Sequence, residues 1–160
     1  MSLRQKLKEI ERANKATQVD VRRLVNEWVA AVHDLYERVG HQLGHLIQDG
    51  AINVGRQPVT RSEERTGPYQ IHELSLHVAG KTIVFNPVAL FVVGANGRVD
   101  LFAKGRLDVR CHLLRLKGSR GGSDRWFITR ADTLRKLPLP KLPELSRKNL
   151  EDAIETLVSK

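Results

Sequence analysis

The residues whose types and spacing could do chemistry lie mainly in the second half of the chain. Asp100 and His112 fall in two neighbouring predicted strands, where a carboxylate and an imidazole could meet across the pair. Such a dyad could carry out acid–base chemistry. It could equally form a charge-assisted hydrogen bond beside the nearby arginines, and we favour that interpretation. No complete catalytic motif accompanies the pair, so the sequence predicts a protein that is not an enzyme.

Two short patterns imitate known sites but lack an essential residue. Gly80-Lys81-Thr82 resembles the end of a phosphate-binding loop, but Ser75 stands where that loop needs glycine, and strand residues follow instead of a helix. His41 and His45 have the spacing of zinc ligands on a helix, but Gln42 replaces the glutamate that serves as general base in zinc proteases. We therefore expect no bound nucleotide, no metal and no cofactor.

Basic residues are concentrated in one stretch of the chain. The net charge is +9, and residues 98–137 hold eleven basic against four acidic residues. A localised basic excess is typical of proteins that bind a polyanion or an acidic protein. Strand alternation places several of these cations on one sheet face with aromatic residues, on which unpaired bases could stack. The predicted nucleic-acid contacts are Arg98, Lys104, Arg110, Arg115, Lys117, Arg120, Arg125 and Phe127.

Two functions remain open from this pattern. The first is a non-enzymatic binding or regulatory module that uses the basic sheet surface of residues 98–137, with DNA, RNA or an acidic protein as its target. This function fails if amino-terminal helices cover that sheet face and bury its phenylalanines. The alternative is a structural or protein-interaction subunit that forms a homo-oligomer, or docks on a partner, through its amino-terminal helix.

The elements that must position these residues begin with a long helix in residues 1–50. Mostly apolar residues recur at spacings that alternate between four and three residues, which is the pattern of the seam of a coiled coil. A continuous helix of this length exceeds the size of a compact domain, so it must break near residues 17–20 or project from the domain. We expect helix 3–35 to mediate association. The seam comprises Leu3, Leu7, Ile10, Asn14, Thr17, Val21, Leu24, Trp28, Ala31 and Leu35.

From residue 51 onward the apolar pattern becomes that of short sequential strands. Alternation predicts strands over residues 69–78, 82–85, 88–93, 98–104, 107–113 and 125–130. The segment 56–68 contains Pro58, Pro68 and five charged residues, so we expect it to be the longest loop. Asn96-Gly97 predicts a tight hairpin turn, because both residues accept positive φ. Successive strands without intervening helices favour an antiparallel meander.

The carboxy-terminal residues predict a proline-rich strap followed by a helix. Prolines punctuate residues 134–145, which favours an extended segment. Ser146 is a suitable N-cap, Leu145 and Leu150 are spaced as a hydrophobic staple, and an apolar stripe follows to Val158. The predicted fold is α+β, with a helical segment 1–50 and a β-meander domain 51–160 that resembles a PH-like barrel in its architecture.

Composition excludes several protein classes and sets an expectation for location. The chain has 160 residues, 28% of them charged and 41% hydrophobic, as in ordinary globular domains. A single cysteine, Cys111, allows no intrachain disulfide, and its position in an apolar alternation predicts that it is buried. No apolar run reaches the ~20 residues that a membrane-spanning helix needs. We expect a cytoplasmic protein without a membrane partner.

Overall fold

The computed structural model describes residues 2–119, 122–131 and 139–160. It consists of a long helix, a six-stranded antiparallel sheet and a terminal helix, so the predicted α+β class is confirmed. In chain order the elements are α1 (Leu3–Gln42), α2 (Gly44–Gln48), β1 (Ile52–Glu63), β2 (Gly67–Val78), β3 (Lys81–Ala89), β4 (Arg98–Ala103), β5 (Arg106–Leu116), β6 (Arg125–Arg130), a 3-10 turn (Leu139–Lys141) and α3 (Arg147–Ser159).

The sheet is an open meander in which each strand pairs with the next along the chain. Because it is not closed, the expected PH-like barrel is not formed. The outer edge of β6 is instead occupied by the segment that leads into α3. The Ile128 amide donates to the Pro143 carbonyl at 2.9 Å, and the Leu145 amide donates to the Trp126 carbonyl at 2.8 Å. With its free edge covered in this way, β6 pairs with the strap and not with β1.

The loop expected at residues 56–68 is a regular hairpin, so that prediction is wrong. β1 pairs with β2 continuously from Ile52–Val78 to Glu63–Gly67, and Pro58 lies opposite His72 within the ladder. Proline and charged residues are tolerated here because β1 is the edge strand of the sheet. Their loop-like composition therefore reflects an exposed edge and not an absence of secondary structure.

The hairpin tip is attached to the connection between β3 and β4. The Glu63 carboxylate accepts hydrogen bonds from the backbone amides of Leu90 and Phe91, both at 3.0 Å, and from the Tyr69 hydroxyl at 2.7 Å. The Arg65 guanidinium lies 4.2 Å from the centre of the Phe91 ring. These contacts hold the end of the hairpin against the rest of the sheet.

The hairpin turn expected at Asn96-Gly97 is also wrong. The connection between β3 and β4 reverses around Val93 and Gly94, where Val92 bridges to Ala95. Asn96 and Gly97 instead pair with β5, since the Asn96 amide donates to Arg115 and the Arg115 amide donates to Gly97. β3 is one strand through Asn86 and Pro87, with a register shift after Pro87, where two strands were expected.

Helix α1 is continuous through residues 17–20 and consists of two dissimilar halves. Every residue from Leu3 to Asp20 is exposed, whereas Trp28, Leu35 and Val39 are completely buried. Of the two expected outcomes for this helix, the structure shows projection and not a break. The projecting half begins with a capping box at Ser2, whose hydroxyl accepts a hydrogen bond from the Gln5 amide.

One hydrophobic core joins the carboxy-terminal half of α1, one face of the sheet and α3. Trp28 and Trp126 lie 6.2 Å apart between ring centres, and Tyr36 packs edge-on against Phe85. The Tyr36 hydroxyl donates to the His72 carbonyl at 2.6 Å. Burial raises the pKa of Tyr36 above its ordinary value, because its ionised form would lose contact with water.

The carboxy-terminal helix packs on this core as the sequence predicts. The Ser146 hydroxyl caps α3 by accepting a hydrogen bond from the Asn149 amide at 3.1 Å, and Leu145 and Leu150 are both buried. Residues 132–138 of the expected proline-rich strap lie outside the described residues. Cys111 is buried, as predicted. Among the described residues, no helix is both long and apolar enough to cross a membrane.

Candidate binding surfaces

The sheet face opposite α1 and α3, called the outer face here, carries most of the residues predicted to do chemistry. The strand register aligns their side chains in three rows that run across the strands. Residues directly opposite in such rows lie close enough for their side chains to interact. The rows are Asn86–Asp100–His112–Thr129, Val84–Phe102–Arg110 and Arg98–Leu114–Phe127.

The predicted contact between Asp100 and His112 is present, and the carboxylate is buried. Asp100 is only 3% exposed, and its Oδ1 lies 2.6 Å from His112 Nδ1. Arg98 Nη2 also donates to the second carboxylate oxygen at 3.4 Å. Because a carboxylate can only accept, the Nδ1 proton must point at Asp100, and Nε2 remains for a ligand. The pair can therefore orient the His112 ring, whose side chain is 21% exposed.

Phe127 is completely buried, which removes the aromatic residue expected to stack on bases. It packs with Leu114 and Leu139 in a small second cluster, and the Arg125 guanidinium lies 5.1 Å from its ring centre. The sequence did not reveal this cover, because Leu139 lies twelve positions after Phe127 along the chain. A buried ring presents no face for a base, so stacking at Phe127 would require this cover to open.

Four of the predicted nucleic-acid cations form ion pairs, the first being Arg98, whose Nε lies 3.0 Å from an Asp100 carboxylate oxygen. Arg115 is buried, and its Nε lies 2.7 Å from Asp124. Lys117 Nζ lies 2.5 Å from Glu27 on α1, and this hydrogen bond lowers the pKa of the Glu27 carboxyl below its ordinary value. Arg125 Nε lies 3.0 Å from a Glu144 carboxylate oxygen. Their charges are partly neutralised within the protein. Arg120 lies outside the described residues.

Lys104 and Arg110 differ from these four cations. In the described part of the chain, neither forms an ion pair with an acidic side chain, and both are exposed. Arg110 lies directly opposite Phe102, whose ring is partly exposed on the same face. Phe102 is one of the aromatic residues that strand alternation placed on this face, and it is a better stacking candidate than the buried Phe127. These three residues form the part of the outer face that can contact a polyanion.

The projecting half of α1 is a second candidate surface. Its apolar seam is exposed to solvent: Leu3 is 73%, Leu7 50% and Ile10 49% exposed. At ~100° per residue, Ile10 and Trp28 are five full turns apart, so they point in the same direction. The stripe that forms the core between Leu24 and Val39 therefore continues beyond the end of the domain. We call residues 3–21 the projecting segment.

The projecting segment leads into a groove between α1 and the β1–β2 hairpin. A cavity of about 620 Å³ lies at its base, with Thr17, Val21 and Val25 on one wall and Pro68 and Tyr69 on the other. The two parts of the seam therefore have different surroundings, although they lie on one helix. Trp28, Ala31 and Leu35, which the sequence assigned to an intermolecular seam, are occupied by the protein's own core. Of the predicted seam, only the part in the projecting segment is available to a partner.

Comparisons with protein-family models, with curated proteins and with solved structures found no match to this chain. The interpretation of its surfaces therefore depends on their own chemistry. Within residues 2–119, 122–131 and 139–160, no three His, Cys, Asp or Glu side chains are grouped so that they could hold a metal ion.

Proposed function

We propose that this chain is a non-enzymatic protein-interaction subunit that docks on another helix through its projecting segment. The observation that carries the proposal is the solvent exposure of Leu3, Leu7 and Ile10 on a helix that extends away from its domain. This is the alternative that the sequence left open, restricted to the half of the seam that the core does not use. The burial of Phe127 and Arg115 favours it over the nucleic-acid interpretation of the outer face.

The energetics of an isolated helix support this function. Helical segments of ~12–15 residues are marginally stable in water without tertiary contacts. The projecting segment is about 27 Å long at ~1.5 Å per residue, and its residues 3–20 are all exposed. Complete burial of a leucine or isoleucine side chain contributes roughly 1.5–3 kcal/mol. Docking of three such side chains would stabilise both the segment and the complex.

Photochemical crosslinking in the host cell tests this proposal. A photoreactive residue at Leu7 should form a discrete covalent adduct, and Ile10→Lys should abolish it by placing a charge in the apolar seam. Val19→Lys is the matched control, because Val19 is also exposed, at 67%, and lies nine residues, or about two and a half turns, from Ile10, on the opposite side of the helix. We expect the control variant to retain the adduct.

The outcomes separate a docking surface from an unoccupied helix. Both variants should fold, since neither side chain belongs to the core. If Leu7 yields no adduct, or if Ile10→Lys and Val19→Lys reduce it equally, the seam is not a docking surface and the proposal is wrong. Circular dichroism of the two variants verifies that the helix itself is retained.

A second candidate function is polyanion binding by the outer face. It is supported by the exposed cations Lys104 and Arg110, which lack acidic partners among the described residues and flank the partly exposed Phe102. The net charge of +9 would draw a nucleic acid toward the protein. Since the outer face is formed by strands, the expected contacts are to phosphates and are not sequence-specific.

A salt titration with a single-stranded oligonucleotide tests this second function. The paired substitution Lys104→Gln and Arg110→Gln should weaken binding and flatten the log–log salt slope by about 1.5 units, at ~0.7–0.9 per phosphate contact. Phe102→Ala should weaken binding by roughly 1–3 kcal/mol without changing the slope if the ring stacks on a base. The matched control is Arg147→Gln with Lys148→Gln, which removes two exposed charges from α3. Absence of binding by the unmodified protein at low salt would eliminate this function.

A further inference from the structure

We infer that the partner of the projecting segment is a second copy of this chain, with the two helices antiparallel. This inference rests on the proposed docking function and specifies its occupant. It follows from three features of α1: the point at which its seam enters the core, the order of residues along the seam, and the charges that flank it.

The position of the domain determines the direction of the partner helix. The seam of α1 is exposed through Thr17 and half-buried at Val21, and from Trp28 onward the same face is covered by the sheet and by Trp126. A parallel second copy would continue alongside residue 28, into the space that this sheet occupies. An antiparallel copy meets the domain only with its amino terminus, and its own domain lies beyond Leu3. The overlap available to it is the projecting segment.

The seam residues match in this antiparallel overlap. Seam residues occupy two kinds of heptad position, called a and d. In antiparallel coiled coils, each a position of one helix packs against a d position of the other. When residues 3 and 21 of the two copies are aligned, every seam residue of the projecting segment meets a seam residue of the opposite type. Each pair of facing seam residues, called a layer here, then contains a leucine or isoleucine side chain. The two-fold symmetry of the dimer makes each layer occur twice. The layers are Leu3–Val21, Leu7–Thr17 and Ile10–Asn14.

The flanking charges are compatible with this arrangement and provide a means to detect it. The antiparallel alignment brings Lys6 of one copy beside Asp20 of the other, at the flanking positions that set pairing in coiled coils. It also brings the two copies of Glu11 together. A parallel pair would instead place Lys6 beside Glu11. Glu11 is therefore repelled in one arrangement and attracted in the other.

Engineered cysteines in the full-length chain distinguish the two directions. Disulfides form only when the Cα atoms lie within ~7 Å. Under mild oxidation, a mixture of Leu3→Cys and Val21→Cys chains should give a crosslinked heterodimer, while Leu3→Cys alone should give little crosslinked product. Crosslinking of Leu3→Cys alone to the same extent would show a parallel pair and overturn the inference. The native Cys111 is buried and is common to all variants.

Sedimentation supplies an independent measurement. The purified chain should change from the mass of a monomer to that of a dimer as its concentration rises, and a chain lacking residues 2–15 should remain a folded monomer. Glu11→Gln should strengthen dimerisation roughly twofold by removing a like-charge contact. A weaker dimer for Glu11→Gln would contradict the antiparallel direction.

The two levels of proposal fail in different ways. If the purified chain remains monomeric at every concentration but the Leu7 photo-adduct still forms in cells, with a mass other than that of two chains, the second copy is wrong and the docking function stands. If the purified chain is monomeric and no adduct forms, both are wrong.

Discussion

Removal of residues 147–160 is expected to leave a chain that no longer unfolds cooperatively. These residues form α3, which buries Leu150, Ile154 and Leu157 against the same core as α1 and the sheet. Truncation of one large buried side chain costs roughly 2–5 kcal/mol, and the total stability of a domain is only about 5–15 kcal/mol. Loss of all three, with exposure of the sheet beneath, should exceed what the remaining core can supply. Thermal and urea denaturation followed by circular dichroism measure the effect.

Single substitutions on the same helix control for general effects of altering the carboxy terminus. Leu150→Ala should lower the free energy of unfolding by about 2–5 kcal/mol, because this side chain is completely buried. Glu155→Ala, on the exposed side of α3, should change it by no more than ~0.5 kcal/mol. If the truncated chain melts within a few degrees of the parent protein, α3 does not belong to the core.

Gly97→Ala is expected to destabilise the protein strongly. A Cβ atom at this position would overlap the indole ring of Trp28, which is itself completely buried. Gly97 also has φ of +137°, a conformation that alanine rarely adopts. Overpacking costs typically 1–3 kcal/mol and backbone strain of this kind a further ~1–3 kcal/mol. We expect a loss of about 2–5 kcal/mol in urea denaturation.

Gly55→Ala is the matched control for this substitution. Gly55 lies within β1, has no positive φ, and has open space where a Cβ atom would be placed. Alanine there should be neutral or stabilising by up to ~1 kcal/mol, because glycine loses more chain entropy on folding. Similar effects at the two glycines would show that the contact between Gly97 and Trp28 does not hold α1 on the sheet.

Features set by neighbouring residues in sequence were predicted correctly. The helix α1, the Ser146 cap and the apolar stripe of α3 depend on side chains within one or two helical turns. The antiparallel meander and the meeting of Asp100 with His112 follow from short strands and alternation. These signals are local, so the sequence carries them without knowledge of the three-dimensional arrangement.

Features that depend on contacts between residues far apart in the sequence could not be predicted in the same way. Residues 56–68 have the composition of a loop, and only their place at the sheet edge makes a strand of them. Asn96-Gly97 has strong turn propensity, but the chain uses the missing Cβ of Gly97 to admit Trp28. The exposure predicted for Phe127 is lost because Leu139, twelve positions later, covers its ring. In each case a distant contact outweighs a local preference of ~1 kcal/mol or less.

By itself the sequence determined that a helix with one apolar stripe precedes a basic antiparallel meander and that a capped helix completes it. It could not determine which part of the stripe is buried, because Leu3, Ile10, Trp28 and Leu35 obey one repeat and look alike along the chain. The tertiary structure divides them: the seam packs on the core from Leu24 onward, Val21 is half-buried beside the β1–β2 hairpin, and the seam from Leu3 to Thr17 is exposed. A hydrophobic pattern specifies that a surface should be buried, whereas the dimensions of the domain decide whether its own core or another chain does so.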